Sequence, residues 1–169
     1  AASYRLLCDM AGVECLVATG YIDGNLPHAW NIINLDDKWY EVDCTNNYNV
    51  TGIDYFLYKA DDEITEKSGY ERDADFALDA MLEDYDCEDK SKDYYNKNNL
   101  VASDMDEYKN VLVNNIKEDT TSLAVRWYGE EADTEDVKEA ILLAFNELGY
   151  EDRLSNVMFG VCAGFILIE

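Results

Sequence analysis

The chain has 169 residues, 48% of them hydrophobic, and a single proline, so it reads as a packed protein of one domain, or one domain plus a small second unit. A net charge of -24 and a pI near 4.1 repel phosphate backbones and anionic bilayers, which disfavours nucleic acid and anionic membranes as partners. No signal peptide is visible, and the longest apolar run, Val157 to Ile168, is too short for membrane insertion.

Residues 1–11 are expected to form a helix, with Tyr4, Leu7, Cys8 and Ala11 on one face. Gly12 suits its C-terminal end. Ala1 and Ala2 are poor N-caps, so the helix is expected to start upstream, and a first residue other than methionine reads as a fragment or a processed product. Val13 to Ile22 is β-rich and interrupted at Gly20. His28–Leu35 and Lys38–Cys44 are expected to pair as a hairpin about Asp36-Asp37. Tyr55–Tyr58 reads as a short strand. The acidic stretch from Asp61 to about Asp93 holds helical pieces.

A different texture begins near residue 103. Ser103 with Asp106 fits a capping box, and Met105, Tyr108, Leu112 and Ile116 follow as a helical stripe. Thr121–Tyr128 alternates, with Leu123, Val125 and Trp127 on one side and Arg126 on the other. Asp133 caps a helix reaching Leu148 and closed by Gly149, with Val137, Ile141, Ala144, Phe145 and Leu148 inward. Asn156–Ile168 reads as one last strand, with Gly160 and Gly164 at a bulge or close contact. The expected fold class is α+β: a core over 1–100 with a helix on an antiparallel sheet, then a small α-β-α-β unit over 101–169 without a recognisable catalytic motif.

The chemistry centres on His28, the only histidine. A two-residue loop at Asp36-Asp37 makes Leu35 face Lys38 and, counting outward, Trp30 face Asp43. His28 lies two residues further along the strand, on the same face. Such a diagonal neighbour is within side-chain reach. A carboxylate there accepts a proton from one imidazole nitrogen, which fixes the tautomer and stabilises the imidazolium. A three-residue loop would put the two groups on opposite faces. Glu41 shares the face of Asp43 and is an alternative carboxylate, though a partly exposed strand glutamate is the simpler expectation. The five cysteines, at 8, 15, 44, 87 and 162, include no C-x-x-C pair or zinc-type cluster, and no EF-hand loop is present, so no metal is implied.

The segments G-V-E-C-L-V-A-T-G-Y, H-A-W-N-I-I-N-L-D-D-K-W-Y-E-V-D-C-T and Y-F-L-Y together resemble the core of the transglutaminase-like superfamily, a papain-like fold of cysteine acyl transferases and peptidases. The likeness is good over 1–58 and looser to Leu100, where Cys87 and Tyr94-Tyr95 resemble a late family feature. It implies that His28 is the general base and Asp43 its orienting partner. It also implies a nucleophilic cysteine about four residues before Ala1, at the start of the first helix, where the macrodipole favours a thiolate. None of the five visible cysteines fits that place: Cys8 is three turns too late, Cys15 lies in a strand, Cys44 is turned away by alternation, and Cys87 and Cys162 have no motif nearby. Trp30, Asn31 and Trp39 are candidate substrate contacts. Asn46 stands where the family often has tryptophan, and Asn49-Val50-Thr51 matches a glycosylation sequon.

The resemblance implies an enzyme acting on amide bonds of proteins or peptides, hydrolysing them or transferring the acyl group to an amine. No cofactor is implied. The expected setting is extracellular or at the cell surface, with a cytoplasmic one left open, and residues 1–169 alone are expected to be inactive. The alternative is a catalytically inactive member of the same fold that serves as a binding or cell-surface module, or one whose partner contact lies in the tail.

Overall fold

A computed structural model describes residues 1–47, 53–73 and 86–169, and the sequon lies outside them. The architecture is mixed α+β, in two units, Ala1–Tyr94 and Tyr95–Glu169, each with its own sheet. Among the described residues no helix is long and apolar enough to cross a membrane.

The first unit opens with α1 (Ala2–Ala11), which has no side-chain N-cap and ends on Gly12 in the left-handed region at φ 73. That conformation lets the Gly12 and Val13 N–H groups bond the Asp9 and Cys8 carbonyls. Only Cys8 of the expected apolar face is buried and Tyr4 is half-buried, while Leu7 is 62% exposed. The helix therefore meets the sheet through a narrower stripe than its apolar residues suggest.

The sheet is antiparallel, in the order β4-β3-β2-β1-β5, from β1 (Cys15–Ile22), β2 (Leu26–Leu35), β3 (Lys38–Val42), β4 (Tyr58–Ala60) and β5 (Tyr70–Arg72). The β2–β3 turn has two residues, Asp36 and Asp37, at φ 57 and 61, the paired left-handed conformation that matches strand twist. Leu35 pairs with Lys38, and the register runs to Asn31 opposite Val42. Alternation then divides the side chains. Cys15, Ile33, Tyr40 and Val42 gather with Cys8 on the α1 side. His28, Trp30, Ile32 and Glu41 take the other.

Two expectations change here. Tyr55–Leu57 forms a turn rather than a strand, and the strand begins at Tyr58. Asn47 holds the end of the turn: its side-chain oxygen accepts from the Leu57 N–H at 2.6 Å and its NH₂ donates to the Leu57 carbonyl at 2.8 Å. The Leu57 carbonyl also accepts from the Asp43 N–H at 2.8 Å, so the turn leads directly into the β3–β4 pairing. Gly20 does not interrupt β1, which runs through it to pair with β5. A Cβ at Gly20 would stand 1.9 Å from the Glu71 carbonyl oxygen, so the glycine is what lets β5 dock. Gly20→Ala is expected to lower the unfolding free energy by about 2 kcal/mol or more. Gly160→Ala, where nothing lies within 4 Å of the added carbon, should change little. Urea unfolding midpoints of the two variants check the contrast.

The helix α2 (Asp62–Lys67) is capped by Asp61, whose carboxylate accepts from the Ile64 N–H at 3.2 Å.

In the second unit, after the helical turn α3 (Tyr94–Lys97), the sheet order is β6-β7-β9-β8, with β6 (Val101–Ala102) parallel to β7 (Leu123–Trp127) and β8 (Phe159–Cys162) and β9 (Phe165–Ile168) antiparallel. Tyr108 and Leu112 of α4 (Met105–Asn115) and Val137, Ile141 and Ala144 of α5 (Thr134–Leu148) pack with Val125 and Ile166. The α5 caps are those expected, Asp133 and a left-handed Gly149. The α4 cap lies one residue later than expected: Asp104 accepts from the Glu107 N–H, and the Glu107 carboxylate reaches back to Ser103 N–H at 2.8 Å. Glutamate at that position reaches where Asp106 would be too short. The single strand expected over 156–168 is instead a hairpin about Ala163 and Gly164, at φ 44 and 76, and a 3₁₀ turn over Glu151–Asn156 precedes it. Arg126, on the opposite side of β7 from Val125, is fully buried, with its guanidinium carbon 4.9 and 4.8 Å from the ring centres of Tyr95 and Phe165, which themselves meet edge to face.

Candidate functional site

His28 stands near the start of β2 and Asp43 directly follows β3, so the hairpin register sets their separation. His28 Nε2 lies 2.6 Å from Asp43 Oδ2, with the aspartate side chain 1% exposed and the histidine 18%. Because a carboxylate can only accept, Nε2 carries a proton, and in the neutral ring Nδ1 is then the nitrogen with the lone pair. Trp30 lies nearly parallel to the imidazole at 6.4 Å, and Tyr70 meets it edge-on at 6.0 Å. The ring is thus fixed in orientation while one edge reaches solvent.

Asp43 is saturated with donors. Oδ2 also accepts from the Tyr70 hydroxyl at 2.6 Å, and Oδ1 accepts from the backbone N–H of Thr45 at 2.8 Å and of Asn46 at 3.4 Å. Asn46 Nδ2 donates in turn to the Tyr70 oxygen. Burial, and then the Asp43 carboxylate, push the Tyr70 phenol well above its ordinary value, so it remains a donor across the physiological range.

Glu41 is not the partly exposed residue expected for its position. It is fully buried, accepting from Trp30 Nε1 at 2.5 Å and from Arg72, which also bonds Asp62 at 2.7 Å. Burial pushes the Glu41 carboxyl up to about 7, against the pull of Arg72. Burial alone would lower Arg72, but Glu41 and Asp62 outweigh it and hold the guanidinium charged. The donor atoms of Glu41, Asp62 and Cys87 lie within 4.8 Å of one another. A cation there would compete with Arg72, and Cys87 is pushed far up, by burial first and then by Glu41 and Asp62, so its thiol is a poor ligand. The guanidinium balances this cluster. A cleft of about 470 Å³ opens over this cluster, lined by Trp30, Glu41, Glu66, Tyr70, Glu71 and Arg72 but by neither His28 nor Asp43.

Among the candidate substrate contacts, Trp30 is brought against His28 but is 1% exposed, so it supports the ring from within. Asn31 faces the opposite side of the sheet, where its Nδ2 donates to the Leu16 carbonyl at 3.0 Å and to Cys15 Sγ. Trp39, four residues along β3 from Asp43 and so roughly 13 Å away, lines a separate cleft with Lys38 and Asp89.

None of the described thiols hydrogen-bonds to His28. Burial raises Cys15, to about 12, while Cys44 and Cys162 are exposed and are raised chiefly by partial desolvation from neighbouring groups. These shifts run opposite to those of an activated thiolate.

The chain matches no protein-family model and no curated protein sequence. The site's chemistry therefore rests on its own geometry. Tyr70 and Arg72 are the site residues that sequence reasoning missed. Their signal is the alternation Tyr70-Glu71-Arg72, three residues long inside an acidic stretch.

Proposed function

We propose that the first unit is the histidine–aspartate part of a papain-like, transglutaminase-like cysteine acyl transferase or peptidase acting on amide bonds of proteins or peptides. The carrying observation is the 2.6 Å contact from His28 Nε2 to the buried Asp43, with Nδ1 left as the proton acceptor. The nucleophile in this reading is a cysteine upstream of Ala1, at the start of α1. Its S–H proton passes to His28 Nδ1 as sulfur attacks the amide carbonyl. The imidazolium, stabilised by Asp43, then protonates the leaving amine. The thioester that remains is resolved by water or by an amine, with His28 again taking the proton. The N–H groups at the helix start supply donors to the developing oxyanion.

The test is thiol reactivity in a protein extended upstream through the first turn of α1. Iodoacetamide should label one cysteine much faster than Cys8, Cys15, Cys44, Cys87 and Cys162, and His28→Ala should remove that fast phase. Uniformly slow labelling of every cysteine would sink the reading.

A further inference from the structure

We propose that Tyr70, itself held by Asn46, is a positioning residue that fixes the plane of the Asp43 carboxylate against the His28 imidazole. Its catalytic consequence rests on the acyl-transfer reading above, but its effect on the imidazole does not.

The two oxygens of Asp43 are held unequally. Oδ1 is tied by Thr45 N–H at 2.8 Å and more loosely by Asn46 N–H at 3.4 Å. Oδ2 receives His28 Nε2 and the Tyr70 hydroxyl, each at 2.6 Å. The terminal torsion of an aspartate is soft and turns both oxygens together, so one good and one long backbone bond on Oδ1 leave the carboxylate plane some freedom to rock. Tyr70 removes that freedom, since it approaches Oδ2 from β5 while the imidazole approaches from β2. The direction of its O–H bond is also set. Asn46 Nδ2 donates to the phenolic oxygen, which leaves the hydroxyl proton to point at Asp43. Asn46 thereby touches Asp43 twice, through its own backbone N–H and through Tyr70. The tyrosine ring is 3% exposed and packs edge-on against Trp30 at 5.2 Å and His28 at 6.0 Å. A phenylalanine keeps those ring contacts and loses only the hydroxyl, which separates positioning from packing.

His28 is the only histidine, so a nitrogen-15 spectrum of the 169-residue chain contains one imidazole. In the parent, neutral His28 should hold its proton on Nε2, with a strongly downfield Nε2–H signal. In Tyr70→Phe the tautomer ratio should move toward Nδ1–H by on the order of threefold or more, with faster loss of the downfield proton to solvent. Asn46→Ala should move both in the same direction by less. A Tyr70→Phe spectrum identical to the parent's overturns the proposal. If that variant does not fold, Asn46→Ala decides in the same way, because it leaves the Tyr70 ring in place. In the upstream-extended protein, Tyr70→Phe should lower kcat about tenfold with KM unchanged. Altered imidazole spectra in a protein that turns over no peptide amide would remove the acyl-transfer reading and leave the positioning role standing.

Discussion

Asp43→Asn is expected to cut acyl transfer by about 10⁴-fold in the upstream-extended protein while leaving the fold intact, the size of effect seen when such a pair loses its carboxylate. The reason lies in the donors around Asp43. Oδ1 faces two backbone N–H groups that cannot be rearranged, and Oδ2 faces, besides the Tyr70 hydroxyl, the imidazole, whose proton can move to its other nitrogen. An amide at this position therefore keeps its oxygen toward the backbone and turns its NH₂ toward His28. Nε2 must then become the acceptor, and the proton moves to Nδ1, the nitrogen that has to receive the thiol's proton. Base and nucleophile are decoupled without any loss of packing. Turnover of a peptide amide, alongside far-ultraviolet circular dichroism, checks it. A loss smaller than tenfold with an intact spectrum would mean that Asp43 does not set the tautomer.

The largest expected effect on stability is at Arg72. Arg72→Ala leaves Glu41 fully buried with Trp30 as its remaining side-chain donor, which should cost about 3–5 kcal/mol. The parent should also show a pH dependence with a definite sign. Glu41 titrates at about 7 when folded, above its ordinary 4.5. Between those values the folded chain keeps a proton that the unfolded chain has released. Stability from this group is therefore highest below the ordinary value, falls as pH rises through the folded one, and is level above it, a drop of up to about 3 kcal/mol. Self-repulsion among the many carboxylates adds a fall of the same sign. The informative quantity is the difference between the parent and Glu41→Gln, whose amide oxygen still accepts from Trp30. Urea unfolding at about pH 5 and pH 8 should give a smaller loss in Glu41→Gln than in the parent. Equal losses would mean that Glu41 is ionised throughout.

The histidine–aspartate contact was legible because it depends on one local quantity, the length of a turn. Two aspartates at positive φ close the β2–β3 hairpin, and parity then carries His28 and Asp43 to one face. The helix ends at Gly12, Asp133 and Gly149 were legible for a similar reason, since capping is a property of the few residues around each end. The support of the site was not. Tyr70 and Arg72 come from a strand of three residues, too short for a periodic signal, and Arg72 reaches Glu41 from 31 residues away. Glu41 was read as partly exposed because sequence pattern does not show which strand faces another layer will cover. The β8–β9 hairpin was hidden by Ala163, an alanine in a conformation that turn signals assign to glycine or asparagine.

Strand β5 is short, but it is poorly able to pair wrongly. Tyr70 and Arg72 point to the same side, with Glu71 between them. A slip of one residue would withdraw the phenol and the guanidinium together and turn Glu71 inward, toward carboxylates left without their donors. Like charges in a dry interior would expel such an alignment, so the strand proofreads its own placement through the very side chains it delivers.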